Sequence, residues 1–174
     1  MLPKMVTDRA QLLKEGTRAK KIKTIVASLQ IFPTPFKGIY YVPADSERGA
    51  WAIEKPSIVL SQAIAFYLNT SNFYYSCITA EEFHGIDWHR SGEVHVVNTM
   101  RSGKINLQAR VDRNNMKKTW RAKQVARILE FYARKIIFHK VPVIENVKLK
   151  RTIYGDYALA SQIKKDKKRF REKR

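Results

Sequence analysis

A chain of 174 residues, 44% hydrophobic and 28% charged, is long enough for one domain, or one domain with a small appendage, and has the balance of a folded protein. It holds no apolar run of the length that a membrane-spanning helix needs, and residues 1–15 are charged and amphipathic, without the apolar centre of a signal peptide. The single cysteine, Cys77, cannot form an internal disulfide, so composition predicts a cytoplasmic protein with no membrane partner.

Positive charge is the strongest compositional signal, with a formal net charge of +19 and a pI near 10.2. It is also lopsided. Residues 113–174 hold 20 Lys and Arg against 5 Asp and Glu, whereas residues 1–112 hold 14 against 10. A field of one sign favours a polyanionic partner, nucleic acid or an acidic protein, because each phosphate contact releases condensed counterions.

In chain order, Thr7-Asp8 predicts a cap for a short helix over residues 9–15, broken at Gly16. A second helix is expected over residues 17–29, where Ile22, Ile25, Val26 and Leu29 form one apolar stripe. Arg18, Lys20, Lys21 and Lys23 cluster near its start. Phe32-Pro33-Thr34-Pro35-Phe36 cannot be helical, and Gly38-Ile39-Tyr40-Tyr41-Val42, preceded by Lys37, reads as a strand. Two helices and a strand give a reduced winged-helix-like element over residues 1–45, too short on its N-terminal side for the complete three-helix fold.

Residues 45–55 read as a polar loop with Trp51 and Ile53 folded back. Pro56-Ser57 opens a helix to Leu68 that is apolar over most of its circumference, so it is expected to be buried. Phe73 to Ile78 is aromatic and β-prone and enters the next segment as extended chain. Thr79 with Glu82 three residues later has the form of a capping box, and Gly85 supplies a left-handed stop. Tyr75, Thr79, Glu82, Phe83, His84 and Gly85 therefore form a predicted structural hub.

After the hub, residues 93–99 and 105–111 alternate around Ser102-Gly103, which predicts a β-hairpin with one wet face. A helix is expected from Trp120 to about Arg134, then strands over 135–141 and 147–150. The final helix is expected over residues 152–171, with Ile153, Tyr157, Ala160 and Ile163 toward the core. The fold class that results is α+β: a small antiparallel sheet packed with helices over residues 46–163, with the reduced winged-helix-like element before it and a basic tail over 164–174.

Tyr74-Tyr75-Ser76 leading into Thr79-Ala80, then Phe83-His84-Gly85-Ile86 and the β-run Glu93-Val94-His95-Val96-Val97, resembles the AbiEi family. Lys37-Gly38-Ile39-Tyr40-Tyr41-Val42-Pro43 is similar to the wing strand that precedes that family's main domain. Its members are antitoxins and transcriptional regulators of type IV toxin–antitoxin (abortive infection) systems. The resemblance implies a DNA-binding, non-enzymatic regulator, with the helix 17–29 and the wing touching DNA. It also implies a nucleotidyltransferase-like toxin as partner.

His84 beside Glu81 and Glu82 fits packing or capping better than acid–base work, and a nucleophile pairing Cys77 with His84 rests on sequence proximity alone. Cys77 sits in an apolar segment and reads as inert; His89, His95 and His139 share no ligand spacing, so no metal and no cofactor is expected. Asp87, Glu93 and Lys104 are the residues a small metal-dependent nuclease would use, an alternative that keeps catalysis in view. The basic segments carry the stronger signal. Lys117, Lys118, Arg121 and Lys123 surround Trp120, which is expected to pack, and Lys164, Lys165, Lys167, Lys168, Arg169 and Arg171, with Lys173 and Arg174, surround Phe170. The remaining alternative is accordingly a non-specific RNA- or DNA-binding module. DNA versus RNA, the operator and the oligomeric state stay open.

Overall fold

A computed structural model describes residues 6–14, 16 and 18–171 of the chain, so Thr17 at the start of the second expected helix, and Lys173 and Arg174, lie outside the described residues. The first stretch runs β1 (Val6–Asp8), α1 (Arg9–Lys14), α2 (Ala19–Ala27), β2 (Phe32–Pro33), β3 (Ile39–Tyr41), α3 (Asp45–Ala50) and α4 (Pro56–Leu68). The second runs β4 (Phe73–Tyr75), α5 (Cys77–Phe83), β5 (Glu93–Asn98) and β6 (Gly103–Asn106). There follow α6 (Leu107–Asn115), α7 (Trp120–Glu130), β7 (Lys135–Lys140), β8 (Leu149–Thr152), β9 (Gly155–Ala158) and α8 (Ala160–Arg171). None of the described helices is long and apolar enough to cross a membrane.

These elements fall into two units, each made of two separate stretches: residues 1–69 with 107–132, and residues 70–106 with 133–174. In the first, β1, β3 and β2 form an antiparallel sheet in that order, with Val6 opposite Tyr41 and Phe32 opposite Tyr41 on the other edge. Asp8 caps α1 as expected, its Oδ1 accepting the Gln11 N–H at 2.7 Å. The stripe of α2 also serves as expected: Ile22 joins Leu12 and Ile31 in one buried cluster, with Ile25, Val26 and Tyr40 against it. The helix α4 has the bounds that Pro56 and the apolar run implied. It buries Ile58, Val59, Leu60, Ala63, Ile64 and Leu68.

The segment expected to be a loop after Ala44 is instead the helix α3. Glu47 organises it: its Oε2 accepts the Ala44 N–H at 2.9 Å and the Tyr41 hydroxyl at 2.5 Å, and its Oε1 accepts the Glu54 N–H at 2.8 Å. Trp51 and Ile53 do fold back. Trp51 stacks on Phe32 at 6.0 Å and Ile53 is buried.

In the second unit a six-stranded mixed sheet runs in the order β6-β7-β5-β4-β9-β8. The expected hairpin between residues 93–99 and 105–111 is not formed. Strand β7 lies between its two arms, parallel to β5 and antiparallel to β6. Residues from Leu107 onward are helical because Leu107 and Val111, the buried pair, stand four apart and suit a helix as well as a strand. The expected helix from residue 152 begins only at Ala160. Thr152 Oγ donates to the Gly155 carbonyl at 2.8 Å and accepts the Tyr154 N–H at 3.0 Å, which closes a β8–β9 turn and leaves Ile153 exposed.

The Thr79 capping box is also corrected. Helix α5 starts at Cys77, so Thr79 lies inside it, and its hydroxyl instead accepts the His95 N–H at 2.7 Å and donates to the Glu93 carbonyl at 3.3 Å. Thr79 thus continues the ladder on β5 where β4 stops. Glu82 Oε1 accepts the Ser91 N–H at 2.7 Å. Gly85 behaves as expected: at φ +68 it ends α5, with Ile86 N–H on the Glu81 carbonyl and Gly85 N–H on the Glu82 carbonyl.

Candidate functional site

The alternation of a strand places Glu93, His95 and Val97 on one face of β5, and register puts Lys135, Ile137 and His139 beside them on β7. His95 and His139 are therefore diagonal neighbours, within reach of each other across the ladder. His95 Nδ1 and His139 Nε2 stand 2.9 Å apart in a hydrogen bond, and the rings lie near-parallel with centroids at 5.1 Å. On its other side His95 Nε2 is 3.5 Å from Glu93 Oε2, and Glu93 forms an ion pair with Lys135. The Lys135 hydrogen bond, against the opposing effect of burial, holds the Glu93 carboxyl below the usual carboxylate range, and His95 adds to this.

Cys77 completes the cluster. The extended Ser76 follows β4, and Cys77 then takes φ +54 as the first residue of α5. Left-handed backbone at Leu29, Trp51 and Asn69 follows the end of a helix, but at Cys77 it begins one, and a non-glycine residue pays about 1 kcal/mol for it. Cys77 Sγ and one ring nitrogen from each of His95 and His139 all lie within 4.8 Å of one another. Burial pushes the thiol up to about 11, with Asp166 adding to the rise and the Ser76 hydrogen bond and Lys167 opposing it, so the side chain is a protonated thiol near neutral pH.

A cavity of about 310 Å³ opens onto this cluster, lined by Cys77, Ile78, Glu93, His95, His139, Lys167, Phe170 and Arg171. Its outer wall is α8. Phe170 stacks on the His139 ring at 4.0 Å, and Lys167 holds both Glu81 carboxylate oxygens at 2.6 Å. The buried Asp166 fixes the helix to the strand before Cys77, accepting from Ser76 Oγ at 2.6 Å and the Tyr74 hydroxyl at 3.2 Å. No ligand spacing joins His95, His139 and Cys77 in the sequence, because His139 reaches His95 only through the parallel β5–β7 pairing and Cys77 does so only through the antiparallel β4–β5 pairing.

The other predicted residues are placed as follows. Tyr75 and Phe83 both pack on Tyr157, Phe83 stacked at 3.8 Å, and His84 Nε2 meets the Ala158 carbonyl at 3.0 Å, so the hub packs against β9 and His84 is not beside Cys77's imidazoles. Glu93 is engaged by Lys135 and His95, Asp87 Oδ1 accepts the His89 N–H at 2.9 Å, and Lys104 is exposed on β6. In the first unit Arg18, Lys20, Lys21, Lys23, Lys37, Lys117, Lys118, Arg121 and Lys123 are all exposed. Arg121 also donates to the Val26 carbonyl at 3.4 Å, which ties the start of α7 to the end of α2. Trp120 is 61% exposed while its ring meets Trp51 edge-on at 5.1 Å. On α8, Lys164, Lys165, Lys168, Arg169 and Arg171 are exposed and Lys167 is half-buried in its Glu81 pair.

Comparison with protein families, with curated proteins and with solved structures gives no match to this chain.

Proposed function

We propose that the protein binds nucleic acid through its first unit, as a DNA-binding regulator of the antitoxin class that its hub and wing residues resemble. The observation that carries this reading is the placement of cations on α2. Lys20, Lys21 and Lys23 stand exposed on the side away from the buried Ile22, so the helix offers a basic face to solvent while its apolar face is held by the core. The element order β1-α1-α2-β2-β3, with sheet order β1-β3-β2, supports a winged-helix-like reading in which α2 would be the groove-entering helix. Lys37 is exposed on the β2–β3 hairpin, where a wing would meet the backbone, and Arg121 brings the cations at the start of α7 beside α2. The resemblance adds a nucleotidyltransferase-like toxin as the protein partner.

Anisotropy titrations against the DNA upstream of the protein's own gene, scrambled DNA and structured RNA, each at two salt concentrations, test the reading. A preference for the upstream DNA that persists at the higher salt supports base readout by α2. Equal binding to all three that collapses with salt leaves counterion release alone, the behaviour of a basic module without sequence readout.

A further inference from the structure

We propose that Cys77, His95 and His139 bind a zinc ion, with one coordination position open to the cavity that α8 encloses. The proposal stands independently of nucleic-acid binding. One thiol, which gives up its proton to solvent as the metal binds, and two imidazoles form a donor set that suits zinc, a borderline-soft ion that takes nitrogen and sulfur in tetrahedral array. A tetrahedral zinc with bonds of about 2.0–2.3 Å holds its ligand atoms about 3.3–3.6 Å apart. The three donor atoms, all within 4.8 Å of one another, come to that spacing by small side-chain rotations. They converge from three elements, the β4–α5 turn, β5 and β7, so the sheet itself fixes the constellation.

The surroundings are those of a metal ligand sphere. His95 directs Nε2 to Glu93 and keeps Nδ1 for the cluster, and a carboxylate behind a ligating histidine fixes its tautomer and raises its basicity. Glu93 is in turn anchored by Lys135. The left-handed Cys77 is a strained residue held by its neighbours, the kind of conformation that recurs at functional sites. The His95–His139 hydrogen bond already points the two ring nitrogens at each other, and an ion bound between them takes the place of the shared proton. Lys167 and Arg171 also line the cavity and oppose a cation, but Lys167 is paired with Glu81. Coordination bonds from sulfur and two ring nitrogens are strong enough to fold whole domains around zinc, whereas a partly solvated charge on the cavity wall is largely screened. Coordination wins, and the same cations favour an anion or a hydroxide at the open position.

The test uses the full chain, stripped of metal and titrated with zinc and with cobalt(II). The expected result is one ion per chain, with cobalt giving the intense visible bands of a four-coordinate site and a near-ultraviolet thiolate charge-transfer band. Thiocyanate should shift the visible bands by entering the open position; bands that do not respond overturn that part of the proposal. Cys77→Ser should abolish the charge-transfer band, and His139→Ala should weaken zinc binding by at least tenfold. Glu93→Gln should weaken it by about tenfold, acting through His95. A wild-type cobalt spectrum with only the weak bands of a six-coordinate aquo ion would overturn the proposal whatever the variants do. So would a folded Cys77→Ser variant that keeps the charge-transfer band.

Discussion

Ser76 Oγ donates to Asp166 Oδ2 at 2.6 Å, so a buried carboxylate on α8 holds the residue that immediately precedes Cys77. The same carboxylate accepts from the Tyr74 hydroxyl at 3.2 Å and from Gln162 Nε2 at 2.9 Å, and the burial of Tyr74, with Asp166 beside it, pushes that phenol well above its ordinary range. Asp166→Ala leaves two buried hydroxyls unpaired and is expected to cost about 3 kcal/mol. Adding Ser76→Ala to Asp166→Ala should cost less than the two single changes combined, because it removes one orphaned hydroxyl. Denaturant unfolding of the four proteins measures this, and strict additivity would refute the clamp.

The parts of this fold that sequence made visible are the local ones. Pro56 and the run after it mark α4, Asp8 marks the start of α1, and Gly85 marks the end of α5, each through a signal that acts within one helical turn. The site was hidden because its geometry is non-local. Alternation around Gly103 reads as a hairpin whether or not another strand lies between the arms, and β7 enters from beyond α6 and α7. His95 and His139 each stand in a β-prone run, and that was the signal on offer: two strands, one with a histidine between Val94 and Val96 and the other with a histidine after Phe138, whose pairing would bring the rings together. Thr79 misled for a related reason. Its hydroxyl has the chemistry of a cap, and it serves the backbone of β5 instead.

Glu47 makes stability depend on pH. Burial pushes its carboxyl up, but the Tyr41 hydroxyl and the Glu54 and Ala44 N–H groups outweigh that, and the folded-state value lies below the usual one. A depressed carboxyl contributes stability that is fully present above its unfolded value and is lost as pH falls through the folded one. Glu47→Gln keeps one acceptor and loses the charge, at a cost of about 1–3 kcal/mol near neutral pH. Thermal melts of both proteins from neutral pH down through the acid range should show this difference shrinking. A constant difference at every pH would mean that Glu47 does not titrate below its unfolded value.

Tyr132 offers the opposite case. Its hydroxyl is buried with no hydrogen-bond partner among the described residues, and burial, reinforced by Tyr41 and Glu47, raises its phenol far above the ordinary range. Tyr132→Phe removes the orphaned group with little change in shape, so it should leave stability unchanged or raise it by about 1 kcal/mol. A lowered melting temperature would show that the hydroxyl has a partner after all.

The strain at Cys77 can be read by comparing two small replacements. At φ +54 an alanine carries the left-handed penalty and a glycine does not, so Cys77→Gly should be more stable than Cys77→Ala by about 1 kcal/mol, reversing the usual preference within a helix. Chemical denaturation decides it. The wild-type thiol, 6% exposed and pushed up to about 11, should also react slowly with iodoacetamide at pH 8, at a rate that climbs with pH until it approaches that value. Rapid modification at neutral pH would contradict both its burial and its protonation.

The two basic helices should differ in what they do to nucleic-acid binding. Each phosphate contact on duplex DNA adds about 0.9 to the slope of log affinity against log salt. Replacing Lys20, Lys21 and Lys23 of α2 with glutamine should therefore lower that slope by about 2 to 3, and it should also erase any preference for the upstream DNA, since groove-facing residues set register and sequence together. Replacing the exposed Lys164, Lys165 and Lys168 of α8 should weaken binding to upstream DNA, scrambled DNA and RNA alike, leaving their ratio unchanged. If instead the α8 changes remove the preference and the α2 changes do not, sequence readout lies in the second unit, and the winged-helix reading of the first unit fails.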